Sequence, residues 1–452
     1  MLTQILGIAR NTLVEALRQP IYMIVVLVSG LLQYLNTATA AFAMGYTTSA
    51  EVSGDDKLLL DVGLATVFLL GMLLAAFEST AVISREIQDK TVLSIISKPV
   101  PRAVLIIGKF IGVATAIVMA TLVMIVFLLW GIRHGVMSTA SDEIDWVVVT
   151  FSLGSVGLSM LAAGWCNFFY NWSFPQVTMV LMPPLALAAY LATLAFSPEW
   201  EVQSLAEDFK PQVTTAAFAM LTAVLVLASV ATAASTRLGQ VMTIVACAGV
   251  FLLGLLSNHF FGRHALTNRP FAEVLEAVPL EPADEGFDER GATYRFKFQG
   301  AMDPVVEVGA PVWYGPNPNG VALAVPEYEP YKGSLTDPDE LFGPGVSGAL
   351  VVAEVESETE ILVRNVGARP LDLERTPELY DFVFQTPTSV NAPAFAVFSL
   401  IPNMHYFWLL DAVTQNRPVP NAHLALIGVY TVTQVGVFLS LAVLLFETRD
   451  VG

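Results

Sequence analysis

Apolar residues gather into eight long runs, at residues 21–43, 58–83, 103–130, 146–168, 177–197, 214–235, 240–261 and 422–446. Each reaches the ~20 residues a helix needs to cross the hydrocarbon core of a bilayer. The fifth run carries Pro183 and Pro184, which a span tolerates when neighbouring helices re-satisfy the freed carbonyls, so a kinked helix is expected there. Ahead of the first run the period changes. Leu2, Ile5, Leu6, Ala9, Leu13, Ala16 and Leu17 recur at helical spacing, with Thr3, Gln4, Arg10, Asn11, Glu15 and Arg18 opposite. That pattern predicts an amphipathic helix lying in the membrane interface and stopped at Pro20. The expected architecture is an all-α polytopic membrane protein with about eight transmembrane helices.

The helical period fails between the seventh and eighth runs. Residues 264–420 are acidic and proline-rich, and Thr293-Tyr294-Arg295-Phe296-Lys297-Phe298 alternates apolar and polar positions. β-prone runs recur at 321–325, 350–355 and 361–364, between turn signals at Gly315-Pro316-Asn317-Pro318-Asn319-Gly320 and Thr336-Asp337-Pro338-Asp339. A small β-rich, sandwich-like insert is expected before the last helix. An aromatic, membrane-skimming helix over 395–412 should lead into the eighth span. The chain then divides into an interfacial helix (1–20), a bundle of seven spans (21–262), an extracytoplasmic β-rich domain with its skimming helix (263–421), and a last span with a tail (422–452). Ala162-Ala163-Gly164-Trp165-Cys166 and Ala231-Thr232-Ala233-Ala234-Ser235-Thr236-Arg237 each precede a turn and another span, so a duplicated helical hairpin is also expected.

Composition supports the membrane reading. The chain is 55% hydrophobic and 14% charged, against about 25% charged in soluble domains. A net charge of −18 argues against nucleic acid as a partner, because phosphate binding needs a basic face. The cations are also distributed asymmetrically. With the N-terminus in the cytoplasm, inside segments hold Arg10, Arg18, Arg85, Lys90, Lys98, Arg102, Lys109, Arg237 and Arg449, whereas the short outside loops hold Lys57, Arg133 and Lys210 amid acids. The positive-inside rule then places both termini in the cytoplasm and requires an even number of spans. The expected site is the cell membrane, with the lipid bilayer as a standing partner. Ala41-Phe42-Ala43 has the form of a signal-peptide cleavage site, but the amphipathic stretch before the first run is unlike a short basic leader.

The connection after the second run carries the most information. It reads Ser84-Arg85-Glu86-Ile87-Gln88-Asp89-Lys90-Thr91-Val92-Leu93-Ser94-Ile95-Ile96-Ser97-Lys98-Pro99-Val100-Pro101-Arg102, followed by Gly108-Lys109. Ser84 can cap a short helix with Glu86 in its first turn. Val92, Leu93, Ile95 and Ile96 give that helix an apolar face, and Pro99 and Pro101 end it. A short helix that is charged at one end and apolar along one face can seat in a groove of a soluble partner. Glu86, Thr91, Lys98, Pro99, Arg102, Gly108 and Lys109 resemble the corresponding loop of ABC-2 type permeases, although Lys90 stands where those proteins usually have Gly before the Thr. The closing Phe446-Glu447-Thr448-Arg449-Asp450, after a Pro-containing Leu400-Ile401-Pro402-Asn403 segment, is similar to the family's ending. The resemblance covers roughly 1–262 and 395–452 and leaves the insert uncovered.

That resemblance implies a membrane-spanning permease whose loop 84–102 docks into a separate ABC ATPase subunit. It carries a coupling role to Arg85, Glu86, Asp89, Lys90, Thr91, Lys98, Pro99, Arg102 and Lys109. It also implies a second permease subunit, as a homodimer or heterodimer. ATP and Mg would bind to the ATPase, so no cofactor, metal or catalytic residue is expected in this chain. The sequence agrees with that division of labour: Gly108-Lys109-Phe110 lacks the loop and hydroxyl of a phosphate-binding motif, and no H-E-x-x-H or strand-borne G-x-S-x-G occurs. Cys166 and Cys247 lie in apolar runs without ligand spacing. One ionisable residue stands apart. Glu78 falls within the second run, about five residues from its cytoplasmic end, where a charge costs several kcal/mol unless paired. It is an intramembrane polar candidate. The expected activity is export; the alternative is a mechanical or assembly complex acting through the insert.

Overall fold

The computed structural model describes residues 1–40, 54–84, 100–137, 144–287, 290–315, 331, 335, 350–366, 376–409, 413 and 419–448. The chain forms two compact units, one comprising residues 1–254 and 404–452, the other residues 255–403.

The first unit is helical. Its elements are α1 (Leu2–Leu17), α2 (Pro20–Thr39), α3 (Gly54–Ser79), α4 (Arg102–His134), α5 (Trp146–Tyr170), α6 (Phe174–Leu194), α7 (Pro211–Ser235), α8 (Gln240–Ser257) and α10 (Asn421–Glu447). Among the described residues, eight helices are long and apolar enough to cross a membrane. Their ends follow local chemistry. Prolines open α2 and α7 in the first turn, where the missing N–H is no loss. The Asp145 carboxylate accepts from the Val148 N–H at 3.0 Å and caps α5. Asn171, at φ 55°, ends α5 in the left-handed conformation that Asn tolerates. Helix α6 runs through Pro183 and Pro184 without a break.

Helix α7 forms the centre, with 83% of its most apolar window buried, against 22% for α8 and for α10. Its Ala- and Ser-rich surface lets α3, α4 and α10 approach closely. The two hairpins expected to be equivalent are not. Helices α5 and α6 pack along each other, whereas α7 packs mainly on α3, α10 and α4. Small residues pack closely on any side of a helix, so the shared Ala-rich composition carried no information about pairing.

Helix α1 forms as expected, but only the later part of its apolar face is buried. Leu2 and Leu6 are 71% and 55% exposed, while Ala9, Thr12, Ala16 and Leu17 are buried, and the helix packs against α4. Gly108 and Gly112 on α4 make that approach possible. A Cβ built at Gly112 would lie 2.5 Å from the Ala9 carbonyl oxygen and 2.6 Å from Thr12 Cβ. Helix α2 is bound through polar side chains: the Gln33 amide donates to the Gly63 carbonyl at 3.0 Å and the Asn36 amide to the Leu59 carbonyl at 2.8 Å.

The second unit contains strands β1 (Leu266–Thr267), β2 (Pro270–Pro279), β3 (Thr293–Phe298), β4 (Pro311–Gly315), β5 (Leu350–Ser357), β6 (Glu360–Asn365), β7 (Phe382–Phe384) and β8 (Ser389–Val390), followed by helix α9 (Ala392–Leu400). β1 and β8 pair antiparallel, and the other six close in the order β2-β3-β6-β5-β4-β7. The expected sandwich is therefore a closed barrel. Closure follows from β2, which pairs with β7 through its first half and β3 through its second, with register shifts that bend it. In β3, Tyr294, Phe296 and Phe298 face the core; Arg295 and Lys297 meet Glu356 and Glu360 at 3.1 and 3.5 Å. The run at 321–325 lies outside the described residues. The helix expected over 395–412 occupies Ala392–Leu400, with a separate 3-10 turn at Met404–Phe407.

Candidate functional site at one end of the bundle

Arg85, Glu86, Asp89, Lys90, Thr91, Lys98 and Pro99 lie outside the described residues. Glu78, Arg102 and Lys109, on the two flanks of that loop, are described. Helix α3 enters the loop through a turn of π-helix at Thr80–Ser84, all five residues of which are buried. A π-turn shifts carbonyls out of the α-helical register. Here the Val82 carbonyl accepts from Lys109 Nζ at 2.7 Å, and Lys109 is only 3% exposed. Lys109, expected as a coupling-loop cation, thus points inward and ties α4 to the end of α3.

Glu78, two residues before the π-helix, is fully buried, and its Oε2 accepts from Gln19 Nε2 at 3.2 Å. Gln19 occupies the extended link between α1 and α2, so this bond connects that joint to α3. Next to Glu78, the hydroxyls of Ser79 and Thr232 lie 3.4 Å apart and bridge α3 to α7. Tyr22 Oη donates to the Ala116 carbonyl at 2.6 Å and joins α2 to α4. The glycine pair described above seats α1 on the first turns of α4.

Arg102, the first residue of α4, turns toward the far end of the sequence. Its Nη1 donates to the Phe446 and Glu447 carbonyls at 3.3 and 2.9 Å, and its guanidinium lies 5.8 Å from the centroid of the Phe446 ring. These are the open carbonyls of the last turn of α10, where a cation also complements the helix dipole. Arg237, just beyond α7, donates to Thr448 Oγ1 at 2.6 Å. The two halves of the sequence motif, at Arg102 and at 446–448, are therefore one contact across 345 residues. Arg102 and Lys109 come together with α10 and with the π-turn respectively; Glu78 comes together with Gln19.

The flanks of the loop are thus bonded to α1, α2, α3, α4, α7 and α10. Of these connections, those of Lys109, Tyr22 and Ser79 are buried, that of Glu78 is part-buried, and those of Arg102 to Glu447 and of Arg237 to Thr448 are exposed. Among the described residues, no group of three or more His, Cys, Asp or Glu side chains could hold a metal ion. Gln19, the π-turn and Gly112 escaped sequence reasoning, which placed Arg237 only among the inside cations and in a repeated passage. Only the Gly108-x-x-x-Gly112 spacing carried a readable signal, since small residues four apart let helices approach.

A second polar cluster was also missed. Arg133, counted above as an outside-loop cation, is 5% exposed at the far end of α4 and lies 3.4 Å from both Asp145 and Asp208. Its guanidinium also donates to the carbonyls of Thr193 and Phe196. Arg133 thereby binds the start of α5 and the connection between α6 and α7 to the end of α4.

Residues 6–167 match the family model described as ABC-2 family transporter protein. The matched stretch runs from α1 into α5 and includes the loop with both its bonded flanks. It supports an ABC-2 type permease, a membrane transport component. No curated protein and no solved structure matches the chain.

Proposed function

Proceeding from that match, we propose that the chain is the membrane-spanning permease subunit of an ABC-2 type exporter, driven by a separate ATPase that docks on the loop around residues 85–99. ATP and Mg bind to the ATPase, and a second permease subunit, identical or related, completes the translocation unit. In this reading the chain resides in the cell membrane with both termini in the cytoplasm, which its cation distribution supports. The observation that carries this reading is the bonding of both loop flanks into the bundle: Lys109 to the π-turn on one side and Arg102 to the last turn of α10 on the other. A push on the loop is then shared between the third span and the last.

The barrel favours a second reading. A closed six-stranded core is a folded module on which an ATP-driven complex could act mechanically, without moving a substrate. Removing residues 270–395 separates the two: efflux that survives the deletion supports translocation through the bundle, while loss of partner binding with no efflux phenotype supports mechanics.

The docking proposal is tested by gentle purification of the full chain and mass spectrometry of what accompanies it. An ATPase bearing a G-x-x-x-x-G-K-[ST] motif should co-purify, and Glu86→Lys with Lys98→Glu should release it while leaving thermal stability unchanged. Arg102 is a poor choice for that experiment because its loss would disturb α10 directly. Retention of the ATPase by the double variant, or labelling of residues 85–99 only from outside the cell, sinks the assignment.

A further inference from the structure

Helix α9 carries no charge along Ala392–Leu400, and its one polar side chain, Ser399, donates its hydroxyl to the Phe395 carbonyl at 2.8 Å. Only Phe398 is buried and Ala394 half-buried; the other seven residues are exposed, with Phe395, Val397 and Leu400 at 41%, 46% and 61%. In water a contiguous apolar surface of this kind is costly. A helix of nine residues is also shorter than the ~12–15 that persist on propensity alone. The sequence expects this region to skim the membrane, but a helix lying in the interface keeps a polar face for the water side. Helix α9 has none. Apolar side chains all round are the pattern of a helix surrounded by nonpolar material.

Its neighbours within the same unit indicate what that material is. Helix α8 continues through a π-turn at Asn258–Gly262 and a last turn at Arg263–Ala265. The run from Gln240 to Ala265, 26 residues, is long and apolar enough to cross a membrane. At ~1.5 Å per residue it measures ~39 Å, more than the ~30 Å of a hydrocarbon core. Arg263 and His264, both exposed, then mark the level where hydrocarbon gives way to headgroups. Helix α9 starts at that level. The Asn391 N–H donates to the Ala265 carbonyl at 2.9 Å, and β1 and β8 form a two-stranded stalk with Leu266 opposite Val390. From there α9 packs on both Arg263–Ala265 and Asn258–Gly262, back along the apolar run rather than away from it. Its length carries it at most ~13 Å. Beyond its end, Pro402 and Asn403 are buried, as irregular backbone at membrane depth must be.

We propose that α9 is immersed in the hydrocarbon of the leaflet nearest the stalk, with lipid acyl chains covering its exposed face, and that it anchors the barrel to the bilayer beside that stalk. The partner surface is continuous with α8, whose Leu252, Leu253 and Leu256 are also exposed. Burial among acyl chains removes the apolar side chains from water, and the helix keeps its backbone bonds to itself, as lipid demands. The inference rests on the membrane crossing of α8 and not on the ATPase assignment, so each can fail without the other.

The test uses the full chain in phosphatidylcholine nanodiscs, with Cys166 and Cys247 replaced by Ala and one nitroxide attached at a time. Relaxation of the nitroxide by oxygen, which concentrates in hydrocarbon, is compared with relaxation by a water-soluble nickel chelate. Phe395→Cys and Val397→Cys lie about 200° apart around the helix, so a skimming helix would turn one of them to water. Immersion predicts that oxygen exceeds nickel several-fold at both, and at Leu400→Cys as a third reporter. Val245→Cys, exposed on α8, should behave alike, whereas Glu354→Cys, exposed on the barrel, should show the reverse. A nickel excess at any α9 position overturns the immersion. A nickel excess at Val245→Cys as well overturns the crossing on which it rests. Protection of α9 from both reagents means that a second copy or another protein covers the helix, and it too overturns the proposal.

Discussion

Replacing Gly112 with alanine should push α1 away from α4. The added Cβ would meet the Ala9 carbonyl oxygen at 2.5 Å and Thr12 at 2.6 and 2.8 Å. The first of these neighbours is backbone, so no rotamer change relieves it and the whole helix must retreat. A shift of about 0.5–1 Å forfeits roughly a quarter to a half of each dispersion contact along the interface. Overpacking of this kind costs about 1–3 kcal/mol. Alanine also favours the helix over glycine by up to ~1 kcal/mol, which partly masks the loss. Gly157→Ala on α5 isolates that second effect, because a Cβ there meets nothing within 4 Å. Thermal unfolding of the full chain in detergent, followed by tryptophan fluorescence, should place Gly112→Ala below the parent and Gly157→Ala at or above it. The difference between the two variants is the steric term alone. Equal shifts for both would refute the close approach of α1 and with it the argument that the glycine pair seats this helix.

Three further outcomes follow from the same geometry. Arg102→Gln should release the last turn of α10; a loss of about 1.4 kcal/mol there speeds hydrogen exchange of the 444–447 amides roughly tenfold, with little change in α8. Lys109→Met leaves the buried Val82 carbonyl without its 2.7 Å donor, an uncompensated group worth about 1–3 kcal/mol, and should lower the unfolding midpoint where an exposed Lys210→Met does not. In the barrel, burial and then the nearby Glu285 and Asp284 raise the Tyr294 phenol above its ordinary value. The folded state therefore favours the neutral phenol, so its contribution is complete below pH ~10, the unfolded value, and fades as pH climbs toward the folded one. Tyr294→Phe should remove part of the alkaline unfolding of the full chain and one delayed component of its tyrosinate titration.

Much of the bundle was legible because a bilayer imposes a length and an apolar composition on any helix that crosses it. The eight runs found in the sequence coincide with the eight long apolar helices to within a few residues at most ends. The β character of the insert was visible in the alternation at 293–298, where β3 forms. Strands β2, β4 and β7 were not, since they are short or bent and their pairing partners lie far along the chain. The loop motif drew attention to Arg102 and Lys109, yet both side chains are turned into contacts with other helices. A motif states which residue types recur together and is silent about which neighbour each one meets.

By itself, the sequence determined that the chain holds eight runs long and apolar enough to cross a membrane, that an acidic β-rich insert precedes the last of them, and that one connection resembles the loop of ABC-2 permeases. These follow from one-dimensional quantities: run length, period and local charge. Only the tertiary structure decided that the insert closes into a barrel, that Lys109 and Glu78 are ties within the bundle, and that Arg102 caps a helix 345 residues away. Each of those depends on which surfaces meet, and in a chain whose apolar faces are nearly alike that choice is made by a few glycines, prolines and polar groups whose partners lie far away in sequence.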